Sequence, residues 1–242
     1  MTKALTRVLG LAAAITLVFT AWMALVVTPA DIVQADAVRL LYLHVPTAWV
    51  AMYLSFGVTS IASALYLWRR TRSRFWDLTA GASAEIGVVF LGLTLVIGSI
   101  WAKPTWGTWW TWDPRLTTTA VLLLIYVAYL AVRRLPDSPA RRARWSAVIG
   151  IVAFVDVPIV HLSVVWWRSQ HQAPAILKVA PRMAASMGVA LVVGVVAFTL
   201  LYAYLVVLRL RVGRLEERVM TEALSPRLAP VPRRIPEVAA GG

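Results

Sequence analysis

The chain has 242 residues, 60% of them hydrophobic and only 14% charged, with a formal net charge of +13. Ordinary soluble domains are about 45–50% apolar and about 25% charged, so the composition excludes a typical soluble globule and points to a bilayer protein. No cysteine is present, which rules out disulfides, iron–sulfur clusters, thiolate ligands and cofactor attachment through C-x-x-C-H.

A membrane-spanning helix needs about 20 mostly apolar residues, and six stretches qualify. Residues 8–30 carry no charge. Lys3 and Arg7 precede them, as in a secretory signal, but the run exceeds the roughly 7–15 apolar residues of a signal core. It is therefore expected to be a retained helix, over 8–28. A loop with Pro29, Asp31 and Asp36 leads to helix 2, within the uncharged stretch 40–68. Helix 3 is expected at 78–101, interrupted by Glu85, and is followed by a tryptophan-rich loop over 101–117. Helix 4 is expected at 116–132. Helix 5, at 145–167, contains Asp156. Helix 6 starts near Met183, where the uncharged run 183–208 begins, and continues as "RLRVGRLEERVMTEAL". From Ser225 the tail is rich in Pro and small residues and reads as disordered. The expected organisation is thus a membrane domain over 1–210 and a partly disordered tail over 211–242.

Of the 24 Lys and Arg, 18 fall on one side of this six-helix plan. They cluster at the N-terminus, in "RRTRSR" (69–74), in "RRLPDSPARRAR" (133–144) and in the tail from Arg209. The other six are Arg39, Lys103, Arg115, Arg168, Lys178 and Arg182. The positive-inside rule makes the first side cytoplasmic. The expected fold is therefore an all-α integral membrane protein with six transmembrane helices and both termini cytoplasmic. The positive charge needs no nucleic acid partner.

No G-x-x-x-x-G-K-[ST] loop cradles a nucleotide, and neither G-x-S-x-G nor H-E-x-x-H occurs. Any ATP-driven transport must draw on another chain. What the sequence does offer lies toward the outer side. Five tryptophans fall between 101 and 112, and nine of the twelve map to the outer half. Both faces would share a simple aromatic belt. The three histidines, His44, His161 and His171, also map outward, with His161 roughly 9 Å below the end of helix 5 at 1.5 Å per residue. Imidazoles from different helix pairs with indole area between them suit haem, whose iron takes ligands on both faces. Indole rings supply apolar area to the porphyrin. Lys103, Arg115 and Arg168 are candidates for charge-assisted bonds to its propionates. The competing readings are an interfacial belt for the tryptophans and solvated structural roles for the histidines. Glu85 and Asp156 read either as a proton path or as protonated carboxyls bonded between helices, the latter being favoured.

Three segments carry a family resemblance. "WGTWWTWDPRLTTT" (106–119) resembles the tryptophan-rich WWD signature of the haem-handling proteins of cytochrome c maturation, and most resembles the haem exporter protein C (CcmC) family. The haem lyase subunit CcmF and CcsA-type synthases usually place an acidic residue where "RLT" stands here. "LYLHVPTAW" (41–49) resembles the family's "YxHVPxA" segment, and "SVVWWRSQHQ" (163–172) its "SVxWWNTLHQ" segment. The resemblance spans about residues 38–182.

The resemblance implies non-covalent b-type haem bound at the outer face of a bacterial inner membrane. It implies His44 and His171 as axial ligands of the iron and Trp106, Trp109, Trp110 and Trp112 as the platform, with Asp113 and Arg115 at its end. It implies transfer of haem to the periplasmic chaperone CcmE, alongside the ABC subunits CcmA and CcmB and the small membrane protein CcmD, with no ATPase or other enzyme activity in this chain. Arg168 stands where the family has Asn, and His161 is an additional histidine in the same segment. Pro114 fixes the backbone after the Trp-Asp pair and suits a helix start. Two alternatives stay open at this level. One is a CcsA-like synthase subunit that attaches haem itself. The other is a transporter subunit without haem, its pore lined by Glu85 and Asp156.

Overall fold

The computed structural model describes residues 3–68, 73–171 and 183–224. Lys178, Arg182, Arg69, Arg70, Arg72 and the tail from Ser225 lie outside them. Six helices among the described residues are long and apolar enough to cross a membrane. We number them α1 (Lys3–Val27), α2 (Asp36–Trp68), α3 (Arg74–Trp106), α4 (Pro114–Val132), α5 (Pro139–Trp166) and α6 (Ala185–Leu224). The only β-pairing among these residues is one bridge, Asp31 to Ala35. The sequence-derived spans thus hold, with longer helices than their apolar runs alone suggest.

Consecutive helices run in opposite directions. α1 packs along α6, α2 lies between α3, α5 and α6, and α4 closes against α3 and α5. The central core joins Val50 and Phe56 of α2, Leu91 of α3, Leu122 and Tyr126 of α4 and Val160 of α5. Phe56 stacks on Tyr126 with ring centroids 3.5 Å apart. Outward-facing Leu11, Ile15 and Val18 of α1 are each about two-thirds exposed or more, at 65%, 67% and 71%. Such a stripe is stable only against lipid or another apolar surface.

Three irregularities shape the bundle. α2 passes through a π-helical segment, Trp49–Ser55. Widening the helix frees backbone carbonyls, and the Ser55 carbonyl takes hydrogen bonds from Thr59 Oγ1 and Ser83 Oγ, both at 2.7 Å. α5 is interrupted at Phe154 and Val155. Pro158, four residues after Phe154, has no N–H to give that carbonyl, and the Val157 amide takes it instead. α3 continues through Pro104 to Trp106 and stops at Gly107, whose φ of 80° only glycine adopts without strain. Trp101 and Trp106 therefore belong to a helix. The connection to α4 is only 107–113, shorter than the predicted tryptophan loop.

The bundle end that carries the arginine-rich connections is tied by ion pairs. Buried Asp77 of α3 accepts from Arg133 at 2.6 Å and from Arg74. Glu85 pairs with Arg209 of α6 at 2.5 Å, so it is a salt-bridge partner, in place of the protonated carboxyl favoured from sequence. Asp156 differs: its Oδ2 is buried with no hydrogen-bond partner among the described residues.

Candidate functional site

Asp113 ends the short tryptophan connection, and Pro114 occupies the first position of α4. The Asp-Pro pair starts a helix for two reasons: proline has no N–H to leave unsatisfied there, and the carboxylate caps the free amides. Asp113 Oδ1 takes the Arg115 amide at 2.9 Å. The same carboxylate does more than cap. Its Oδ2 accepts from Ser169 Oγ at 2.8 Å and from the Gln170 amide at 2.7 Å, and its Oδ1 meets His171 Nδ1 at 3.1 Å. The Ser169 hydroxyl in turn accepts the His171 amide at 3.0 Å. One buried carboxylate therefore latches the segment after α5 onto the start of α4.

The charge states follow from these contacts. Burial pushes the Asp113 carboxyl up, but the Gln170 amide, the Ser169 hydroxyl, the Arg115 amide and His171 together hold it below the usual carboxylate value. Asp113 is ionised. For His171, burial is the largest influence and lowers its pKa. The Arg115 charge adds to this, and Asp113 only partly opposes it. Burial thus favours the neutral form of the His171 imidazole. Facing a carboxylate that can only accept, its Nδ1 carries the hydrogen and Nε2 is left with its lone pair. Trp106 meets the ring edge-on at 4.8 Å between centroids.

His44 lies in the helical turn of α2 that contains Pro46. Its ring packs on Gly98 of α3, so closely that a Cβ there would sit 2.8 Å from His44 Cε1. Trp101 approaches the ring at 5.8 Å and 71°, and the Trp101 indole N–H is fixed by Gln34 Oε1 at 2.8 Å. His44 Nδ1 is buried without a hydrogen-bond partner among the described residues. His44 lies within electrostatic reach of both His171 and Arg115. The two histidines, on α2 and after α5, thus lie within electrostatic reach of each other.

The remaining predicted residues divide by environment. Trp109 and Trp112 are exposed, at 57% and 81%, while Trp106 and Trp110 are half-buried. Trp110 and Trp112 stand at 88° to one another, so the indoles form a corner and not one flat wall. Lys103 donates to the Gly107 carbonyl at 3.0 Å and lies 6.0 Å above the Trp109 ring. Arg115 turns inward and donates to the His161 carbonyl at 3.2 Å. Arg168 is exposed and, with Trp112, Asp113 and Gln170, lines an open cleft of ≈ 560 Å³. His161 does not join the His44–His171 pair; its Nδ1 is 2.6 Å from the Tyr53 hydroxyl.

Sequence reasoning did not find Gly98, Ser169 or Tyr53. A helical glycine and a loop serine carry no pattern of their own. Tyr53 and His161 are 108 positions apart, and only the packing of α2 near α5 joins them.

Chemically, the site offers two imidazoles on separate elements, one with a defined free Nε2, beside exposed indole surface and a guanidinium. That donor set fits a flat, apolar, anionic metal macrocycle such as haem.

Comparison with known proteins is consistent with this. The family described as heme exporter protein C matches residues 1–225. The heme exporter protein C of Bradyrhizobium diazoefficiens is 38% identical over 193 residues, covering 79% of this chain and 72% of that protein. That of Haemophilus influenzae is 37% identical over 191 residues, covering 78% and 76%. A ccmC-like mitochondrial protein of cytochrome c biosynthesis from Arabidopsis thaliana is 32% identical over 208 residues, covering 85% and 78%.

Proposed function

The chain belongs to the heme exporter protein C family, and from that premise we propose that it binds haem between His44 and His171 and hands it on for cytochrome c assembly. The observation that carries this reading is the Asp113–His171 contact at 3.1 Å. A carboxylate on one imidazole nitrogen fixes the tautomer and aims the other at a metal, as is usual behind a metal-bound histidine. Haem supplies the iron that both imidazoles would ligate.

The residues of this chain do the rest. Trp106 braces the His171 ring, and Gly98 and Trp101 hold that of His44. Exposed Trp109 and Trp112 offer apolar contact, and Arg168 a charge for a propionate. The chain has no cysteine for thioether attachment, and the cargo is read as non-covalently bound b-type haem. The exposed indoles leave the site open on one side, where the periplasmic chaperone CcmE takes the haem. CcmA and CcmB provide ATP hydrolysis and CcmD completes the assembly in the bacterial inner membrane, with the tryptophan end facing outward. The chain is then a transfer component and not an enzyme.

The test is direct. Protein purified in detergent from haem-replete cells is expected to show a low-spin haem spectrum, oxidised and reduced, near one haem per chain. A colourless protein, even after haem and partners are added, would overturn the reading.

Two substitutions probe the supporting shell. Asp113→Asn keeps the cap but loses the charge on His171, and haem affinity is expected to fall about 10–100-fold. Haem titration would show it, and unchanged affinity would remove Asp113 from the site. Gly98→Val places a branched side chain where even a Cβ stands 2.8 Å from His44. The ring must move, and the low-spin spectrum is expected to give way to a high-spin one. An unaltered spectrum would show that His44 is not held there.

A further inference from the structure

The structure contains a second pair of potential iron ligands below the first. α2 contributes His44 and, nine residues further into the bilayer, Tyr53. α5 and its following segment contribute His171 and, ten residues earlier, His161. Nine residues of helix rise roughly 13 Å. The Tyr53 hydroxyl and His161 Nδ1 are 2.6 Å apart, and their rings meet edge-on at 6.1 Å.

Several features set this pair apart from an ordinary interhelical bond. It lies within the spans of α2 and α5, and Tyr53 is 38% exposed. Polar groups within membrane-spanning segments are costly and mark substrate paths. Tyr53 stands on the π-helical segment of α2, a distortion frequent at functional sites. Trp49, on the same segment and exposed, meets the Tyr53 ring at 5.4 Å and continues the aromatic surface. Arg115 links the two levels. Its guanidinium holds the His161 carbonyl, and its charge reaches Tyr53 below and His44 and His171 above.

We propose that Tyr53 and His161 form a staging site that ligates ferric haem from the bilayer through Tyr53 Oη before it reaches His44 and His171. The inference rests on haem being the cargo. On binding, the Tyr53 O–H bond breaks as the Fe–O bond forms, and the proton passes to His161 Nδ1. The iron stays ferric, so no oxidant or reductant is needed. Phenolate is a known haem ligand type, and a neighbouring imidazole is the base it requires. Arg115, which holds the His161 carbonyl between the two levels, adds a cation along the route toward the propionate partner Arg168.

The experiment uses the full-length chain in lipid vesicles with ferric haem added, and reads the absorption and resonance Raman spectra. Wild type, His44→Ala/His171→Ala, and that double variant with Tyr53→Phe are compared. The double variant is expected to keep a high-spin ferric haem with a phenolate-to-iron charge-transfer band, and Tyr53→Phe to abolish both. A size-exclusion profile and Tm of the triple variant matching those of the double variant show that it is folded. If the double variant binds no haem while wild type does, the staging site is wrong and the outer site stands. Haem retained by the double variant but indifferent to Tyr53→Phe also overturns it. If wild type binds none, the proposed function falls as well.

Discussion

His44→Ala and His171→Ala are each expected to cost the outer site most of its haem. An axial imidazole contributes a bond, where the outer-shell partner behind it is worth about 10–100-fold in affinity, so the loss should exceed that range. The spectrum separates the cases. With one imidazole gone, any haem remaining is expected to be high-spin; with both gone, no low-spin haem remains. His161→Ala is expected to leave the low-spin spectrum in place, because His161 bonds Tyr53 and lies outside the His44–His171 pair. Loss on His161→Ala equal to that on His171→Ala would overturn the ligand assignment. Gross unfolding is not a ready excuse for His171→Ala. Asp113 keeps its bonds from Arg115, Ser169 and Gln170, so the latch between the segments survives.

The two halves of the site differ in how far sequence exposes them. Helix spans are set by the bilayer, a local constraint, and uncharged runs reveal them without any knowledge of packing. Their ends are not local. Pro104 looks like a stop, yet α3 passes it and ends at Gly107, because a proline near a helix end frees only one carbonyl. Trp101 therefore stands on a rigid helix beside His44. The break in α5 follows from Pro158, but an apolar run conceals it. Glu85 looked like a carboxyl in need of a proton until α6 brought Arg209 to it across 124 positions. Asp113 shows the limit best. Its role as a helix cap is legible from Asp-Pro alone, while its hold on His171, 58 positions away, exists only in the folded chain.

The opposite end of the bundle carries the largest expected effect on stability. Asp77 is 3% exposed and lies where the start of α3, the end of α4 and the start of α5 meet. Arg133 reaches its Oδ1 at 2.6 Å, its backbone carbonyl at 3.2 Å and Ser146 Oγ at 3.2 Å. Removing one partner of a buried pair costs about 3–5 kcal/mol, because the other charge is left without compensation. Asp77→Ala is expected to destabilise by that amount, as Arg133 then has only neutral partners. Arg133→Met should cost less, since Arg74 still pairs with Asp77. Combining the two should recover part of the loss, because no half-pair then remains buried. Thermal unfolding in detergent, followed as Tm, gives the order. The haem spectrum of whatever remains folded should be that of wild type, because the pair lies at the end of α3 far from Gly98 and Trp106. A loss of low-spin haem in folded Asp77→Ala protein would couple the two ends of the bundle and require the site to depend on how its base is tied. An unchanged Tm would instead mean that water, and not Asp77, satisfies Arg133.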